Sequence, residues 1–276
     1  MSWLLAVLYG LISGLTEFLP VSSGAHQGIL LRIFGGEDMG SILNVSTHAG
    51  CLAGLLFCCR QEFAGMRRAA SRSNRRGSGR LTRGESQNFL TARMLRTALL
   101  PLILGALLAY RVSGVGRRLN LLALLLALHG GMMFLPLFFP RGNKDSRSVS
   151  RFDGVLLGAG AGLGMIPGFS GVGAVVSLAA LRGSGTQFSL HVALLLSVPS
   201  LLLRIGQDAL RLLTGGVSGF GAAVLAQGML CFAAAAAGSL CAIPVMRFLS
   251  VKTGFSGFAY YCWGAAMFAF VLFMMI

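Results

Sequence analysis

The sequence predicts an all-α polytopic membrane protein: six transmembrane helices plus two broken helical hairpins that enter the membrane and return. Three observations predict it. Hydrophobic residues make up 55% of the 276-residue chain and charged residues only 11%, far from the charge content of a soluble domain. Several apolar runs reach or approach the roughly 20 residues that cross a hydrocarbon core. Two further apolar stretches, 3–33 and 154–181, are interrupted by Pro20 and Pro167, and proline removes a backbone N–H that a continuous helix needs.

In chain order, the first broken stretch carries Gly14-Leu15-Thr16-Glu17-Phe18-Leu19-Pro20-Val21-Ser22-Ser23-Gly24-Ala25-His26. An acid, hydroxyls and an imidazole at membrane depth are expensive, so they mark a site. Non-helical backbone survives there only where protein or water satisfies it, which implies a polar cavity. Spans follow at about 40–59, 97–112, 119–139, 188–205, 221–246 and 255–276. The start Met1-Ser2-Trp3 has neither a basic leader nor a small-residue cleavage pattern, so no removable signal peptide is expected. Cys51, Cys58, Cys59, Cys231, Cys241 and Cys262 fall in apolar runs without metal-ligand spacing. They read as small buried hydrophobes, with neither disulfide nor zinc.

The net charge of +15 would suggest nucleic acid in a soluble protein; in a membrane protein it reads as orientation. Ten arginines lie between Arg60 and Arg96 against Glu62 and Glu85. This stretch is expected to be a solvated cytoplasmic loop touching anionic lipid, disordered in the middle of Ser71 to Ser86. No nucleic-acid partner is expected. If 154–181 dips in and returns, 17 Lys and Arg fall inside and 6 outside, as the positive-inside rule requires.

The two broken stretches resemble each other. Both start Gly-Leu, at Gly14 and Gly162, and share Pro-x-x-Ser-Gly at Pro20 to Gly24 and Pro167 to Gly171. Each is followed by Ser-x-His, Ser46 with His48 and Ser189 with His191. By the charge count they are inverted copies, the device by which transporters build a site near the midplane. The chain is read as a single integral membrane domain, with a first repeat over about 1–139 and a second over about 152–276.

Glu17 to Ser23 with His26, Ile166-Pro167-Gly168-Phe169-Ser170, Phe188-Ser189 and Val198-Pro199 together resemble the bacterial undecaprenyl-pyrophosphate phosphatase family, the bacitracin-resistance proteins. The resemblance implies that the repeats interlock, and that the activity removes one phosphate from a polyprenyl pyrophosphate lipid carrier in the bacterial inner (plasma) membrane, serving cell-wall synthesis. It implies Glu17, Ser23 and His26 as catalytic residues, with Glu17 the acid/base and Ser23 a candidate nucleophile. Ser22, Gly168, Ser170, Gly171 and Gly173 become substrate-binding. A divalent cation, magnesium or calcium, is the cofactor to look for, with its ligands unassigned, and a homodimer is the oligomer to look for.

The chain departs from the family pattern at telling places. Ser13 stands where a second acid precedes Glu17 by four residues. Gly171, Val172 and Val175 replace the arginine, serine and threonine of the second motif, and Gln187 stands in place of a glutamate. The lost arginine is the bidentate phosphate clamp. Arg204 is a candidate to supply the missing charge, against pairing to Asp208 or reaching to the outer interface; Arg32 is a second candidate. His48 is a candidate cavity residue, whereas His191 and His129 read as packing. Glu37 and Asp38 could hold an ion but read as a solvated loop. Gly158, Gly160, Gly162 and Gly164 and the run Ala233 to Ala237 suggest close helix contact. The alternatives to hydrolysis are a weakened relative that binds or flips the lipid carrier, and a small-solute transporter.

Overall fold

A computed structural model describes residues 2–36, 40–74, 83–140, 142–214, 221–252 and 254–275. Ser2 opens α1 (Trp3–Phe18), its hydroxyl accepting the Leu5 N–H. After the Pro20 break comes α2 (Ser23–Ile33). Next are α3 (Ser41–Cys58), α4 (Arg60–Asn74) and α5 (Arg83–Arg111), then a 3₁₀ turn (Ser113–Arg117) and α6 (Leu119–Phe134). The second broken pair is α7 (Arg151–Leu163) and α8 (Gly171–Leu181), with the Pro167 break between them. α9 (Thr186–Thr214), α10 (Ala222–Lys252) and α11 (Gly257–Met275) complete the chain.

Among the described residues, six helices are long and apolar enough to cross a membrane: Ser41–Cys58, Ser86–Arg111, Leu119–Phe138, Thr186–Thr214, Ala222–Lys252 and Gly257–Met275. They are the six spans expected, and the chain is a multi-pass membrane protein. Apolar side chains line their outer faces, such as Leu100 (66% exposed) on α5 and Met274 (69%) on α11, as lipid contact requires.

One expectation needs correcting. Much of 60–96 is helix rather than loop: α4 follows α3 after a single residue, and α5 starts fourteen positions before the expected span. Arg, Gln, Leu and Met are good helix formers, so the helix runs on past the apolar segment into the basic one. The disorder expected around Ser71 to Ser86 centres on 75–82, outside the described residues, as do Glu37 and Asp38.

The first helix of each broken pair packs against a span of the other half: α1 against α10, and α7 against α5. Small residues make both approaches possible. A Cβ at Gly14 would run into the Ala235 carbonyl, and one at Gly158 into the Ala98 carbonyl. The expected close-contact roles of the α7 glycines and of the Ala233 to Ala237 run are therefore seen directly. Gly14→Val is expected to destabilise the protein by about 3 kcal/mol or more through forced separation of two backbones, read as a lowered unfolding midpoint in detergent.

The basic segments meet at one end of the molecule. Arg247 pairs with Glu62 at 2.7 Å, the Lys144 N–H bonds the Gly183 carbonyl at 3.0 Å, and Arg182 pairs with Asp153 at 2.6 Å. Asp153 also closes a capping box with Ser150 at the start of α7. Burial would raise its carboxyl, but Arg182 and the Ser150 N–H and hydroxyl hold it below the usual 3.8. A depressed folded value contributes stability above the unfolded value that disappears as pH falls through the folded one. Asp153→Asn is thus expected to lower the unfolding midpoint at neutral pH, the gap to wild type closing below about pH 4.

Candidate active site

The two breaks face and bond each other. Ser22, with its left-handed φ of 63°, caps α2, and its hydroxyl accepts the Ala25 N–H at 3.3 Å and the Gly168 N–H at 3.0 Å. Ser170 caps α8 by accepting the Gly173 N–H at 3.2 Å, and its hydroxyl donates to the Leu19 carbonyl at 3.1 Å. Each broken loop therefore satisfies backbone of the other, which is how irregular backbone persists at this depth. Below them His129 of α6 reaches the Pro20 carbonyl with Nε2 at 3.2 Å and meets Phe169 edge-on. A Cβ at Gly173 would lie 2.6 Å from the His129 ring.

Three of the residues expected to bind substrate make contacts within the protein. The Gly168 N–H is engaged by Ser22, Ser170 locks the breaks, and Gly173 makes room for an imidazole; in this structure all three hold the two loops together. Gly171 differs: nothing lies nearer its Cβ position than the Ala161 oxygen at 3.8 Å.

Beside the junction lies a cleft of about 320 Å³. Gly24, Gln27 and Gly28 of α2 and Pro167 of the second break form one wall. Across from them stand Tyr9, Asn44, His48, Arg204, Gln207, Asp208 and Arg211, with Arg117 at the rim. Three arginines face one carboxylate, so the cleft favours an anion. Asp208 does not pair with Arg204; it accepts from His48 Nδ1 at 3.0 Å and lies 3.4 Å from Arg211. Arg204 instead donates to the Gly164 carbonyl at 2.7 Å, and its Nε is buried without a partner.

Behind Arg204 and Met165 is a second, small cavity of about 20 Å³, bordered by Glu17, Gly164, Gly171, Val175, Ser197 and Ser200. That is room for one water. Glu17, half-buried on α1, has no hydrogen-bond partner among the described residues. Arg204 borders both spaces, so it forms the wall between Glu17 and the open cleft. Arg32 does not line the cleft; it donates to the carbonyl of Arg117, which does, at 2.9 Å.

The structure separates other residues that the resemblance groups. His26 does not reach a serine hydroxyl: Nδ1 bonds the Ser22 carbonyl at 2.8 Å, and Nε2 meets Tyr261 Oη of α11 at 2.8 Å, with the rings stacked. Positions 24, 27 and 28 of α2 face the cleft, and His26 projects about 100° away from Gln27. Ser23 is buried and borders neither space; its hydroxyl accepts from Gln27 Nε2 at 3.3 Å, the same amide that donates to Ser13 at 2.9 Å. His191 lines a separate cleft of about 220 Å³ with Glu62 and Arg247, at the basic end. Sequence reading missed Gln27, although it stands four residues after Ser23, and Arg211, although it stands three after Asp208. Tyr261, far along the chain, gave no local signal.

With this geometry in view, comparison with known proteins is decisive. A family model described as bacitracin resistance protein BacA matches residues 6–268. The chain belongs to the BacA family. Relatives within it include the undecaprenyl-diphosphatase of Saccharophagus degradans, 29% identical over 209 residues, covering 75% of this chain and 76% of that protein. The undecaprenyl-diphosphatase of Syntrophotalea carbinolica is 27% identical over 273 residues, covering 95% and 96%. Undecaprenyl-diphosphatase 3 of Frankia alni is 32% identical over 218 residues, covering 73% and 71%. The BacA match spans both breaks, the cleft, five of the six long helices and the first part of the sixth.

Proposed function

We propose that the chain is a phosphatase of the bacterial inner membrane that hydrolyses undecaprenyl pyrophosphate to undecaprenyl phosphate and phosphate. The observation that carries this reading is the arginine-lined cleft at the junction of the two breaks, with Glu17 behind Arg204. The names of the relatives and the membrane-spanning helices support substrate and setting. The broken pairs α1/α2 and α7/α8 are assigned as re-entrant hairpins of two interlocked repeats, a reading supported by their exchanged packing.

In this mechanism the pyrophosphate enters the cleft and its oxygens take the guanidinium groups of Arg204 and Arg211. Arg204 exchanges the Gly164 carbonyl for a phosphoryl oxygen, which joins the small cavity to the cleft. Glu17 then accepts a proton from a water that attacks the terminal phosphorus, and the arginines stabilise charge on the transferring group. Water is assigned as nucleophile in preference to Ser23 because Glu17 borders a water-sized space and Ser23 does not. Among the described residues no group of three or more His, Cys, Asp or Glu could hold a metal ion. With Glu17 assigned as the base, a magnesium or calcium ion would be held by oxygens of the substrate itself, where it would neutralise phosphoryl charge.

The test is purified protein in detergent supplied with undecaprenyl pyrophosphate. The expected products are one phosphate and one undecaprenyl phosphate per lipid consumed. Binding or transbilayer movement of the lipid without phosphate release would replace this reading with that of a weakened relative. Solute uptake independent of the lipid would replace it with a transporter.

A further inference from the structure

Of the four histidines in the chain, one lines the main cleft. His26 is bound to Tyr261 and the Ser22 carbonyl, His129 lies under Pro20, and His191 faces the opposite end. His48 alone presents its ring to the space shared by Arg204, Arg211 and Gln27. Its Nδ1 is held at 3.0 Å by Asp208, a residue only 5% exposed, while its Nε2 has no hydrogen-bond partner among the described residues. A buried carboxylate that fixes one ring nitrogen and leaves the other toward a cleft is the arrangement of an oriented proton donor.

We infer that His48, oriented by Asp208, is the general acid that protonates the leaving lipid phosphate, a role that rests on the hydrolytic reading above. The water oxygen bonds to the terminal phosphorus and gives a proton to Glu17. The bond from that phosphorus to the bridging oxygen breaks, its electron pair staying on the bridging oxygen. The imidazolium Nε2–H delivers its proton there, leaving neutral His48 still donating through Nδ1 to Asp208. Both residues are restored by exchange with solvent in the cleft.

The polar and charged groups around His48 come from every neighbouring element. α9 supplies Arg204, Asp208 and Arg211, α1 supplies Tyr9, and the 3₁₀ turn supplies Arg117. The buried face of α10 offers Gln227 and Cys231 but neither carboxylate nor base. Asp208 is thus the one carboxylate among the cleft residues, and it is spent on His48 and Arg211.

The experiment measures kcat and KM for phosphate release from undecaprenyl pyrophosphate across pH for wild type, His48→Gln, His48→Asn and Asp208→Asn, with unfolding midpoints in parallel. His48→Gln is expected to lower kcat about 10²-fold with little change in KM and to remove the alkaline limb of the profile. Asp208→Asn, which frees the ring that Asp208 holds, is expected to lower kcat less than His48→Gln does. Should His48→Gln unfold, His48→Asn gives the same reading. Turnover within about twofold of wild type, or a lowered kcat with the alkaline limb intact, overturns the assignment. Wild type that releases no phosphate overturns the hydrolytic reading and this one with it.

Discussion

Glu17→Gln is expected to lower phosphate release about 10³-fold while leaving the unfolding midpoint at or above the wild-type value. The two readouts separate because the Glu17 carboxylate makes no hydrogen bond among the described residues and borders a water-sized cavity. The substitution removes a base and a half-buried charge without breaking a structural contact. A purely structural carboxylate would give the opposite pattern, loss of stability with activity falling only in proportion. Ser23→Ala is expected to retain a larger fraction of turnover than Glu17→Gln, since Ser23 borders neither cavity and is tied to Gln27. Equal loss in the two variants would move the nucleophile from water to Ser23.

Arg204→Ala is expected to lower kcat/KM about 10²- to 10³-fold, the cost of losing a preorganised donor to a phosphoryl group. Arg204→Lys is expected to recover only part of it, because an ammonium does not reproduce the planar fork. The placement of Arg204 is what makes the effect large. It reaches from α9 over the Gly164 carbonyl, keeps Nε buried without a partner, and borders both the cleft and the Glu17 cavity. It also borders the same small space as Gly171, the position at which the family resemblance leads one to expect an arginine.

The spans were legible in the sequence because apolar length and charge asymmetry follow directly from the bilayer as solvent. Pro20 and Pro167 likewise announced the two breaks. What the sequence hid was which face of each short helix meets the cavity. Ser23 and His26 stand three residues apart on α2, yet Gln27 and Gly24 face the cleft and His26 turns to Tyr261, a contact across 235 positions. Spacing alone sets relative angle along one helix; the absolute direction comes from the packing of α2 against α6 and α1. Gly168, Ser170 and Gly173 illustrate the same point, since residues suited to cradling phosphate are equally suited to closing one loop on another. His48 was legible as a polar residue in a span, whereas its partner Asp208 lies 160 positions away. The arginines of α4 suggest a solvated loop, but an amphipathic helix satisfies the same need for solvent with one face.

The arginine exchange also supplies the most direct measurement. A Cβ at Gly171 meets nothing nearer than 3.8 Å, and Arg204→Ala vacates space beside the same small cavity, so Gly171→Arg is the substitution to add to Arg204→Ala. Phosphate release from undecaprenyl pyrophosphate by the double variant should exceed that of Arg204→Ala by about tenfold or more, since a guanidinium regains the Glu17 cavity from the other side. Arg204→Ala releasing phosphate at the wild-type rate, or a folded double variant no faster than Arg204→Ala, would contradict the placement of the phosphate clamp at Arg204.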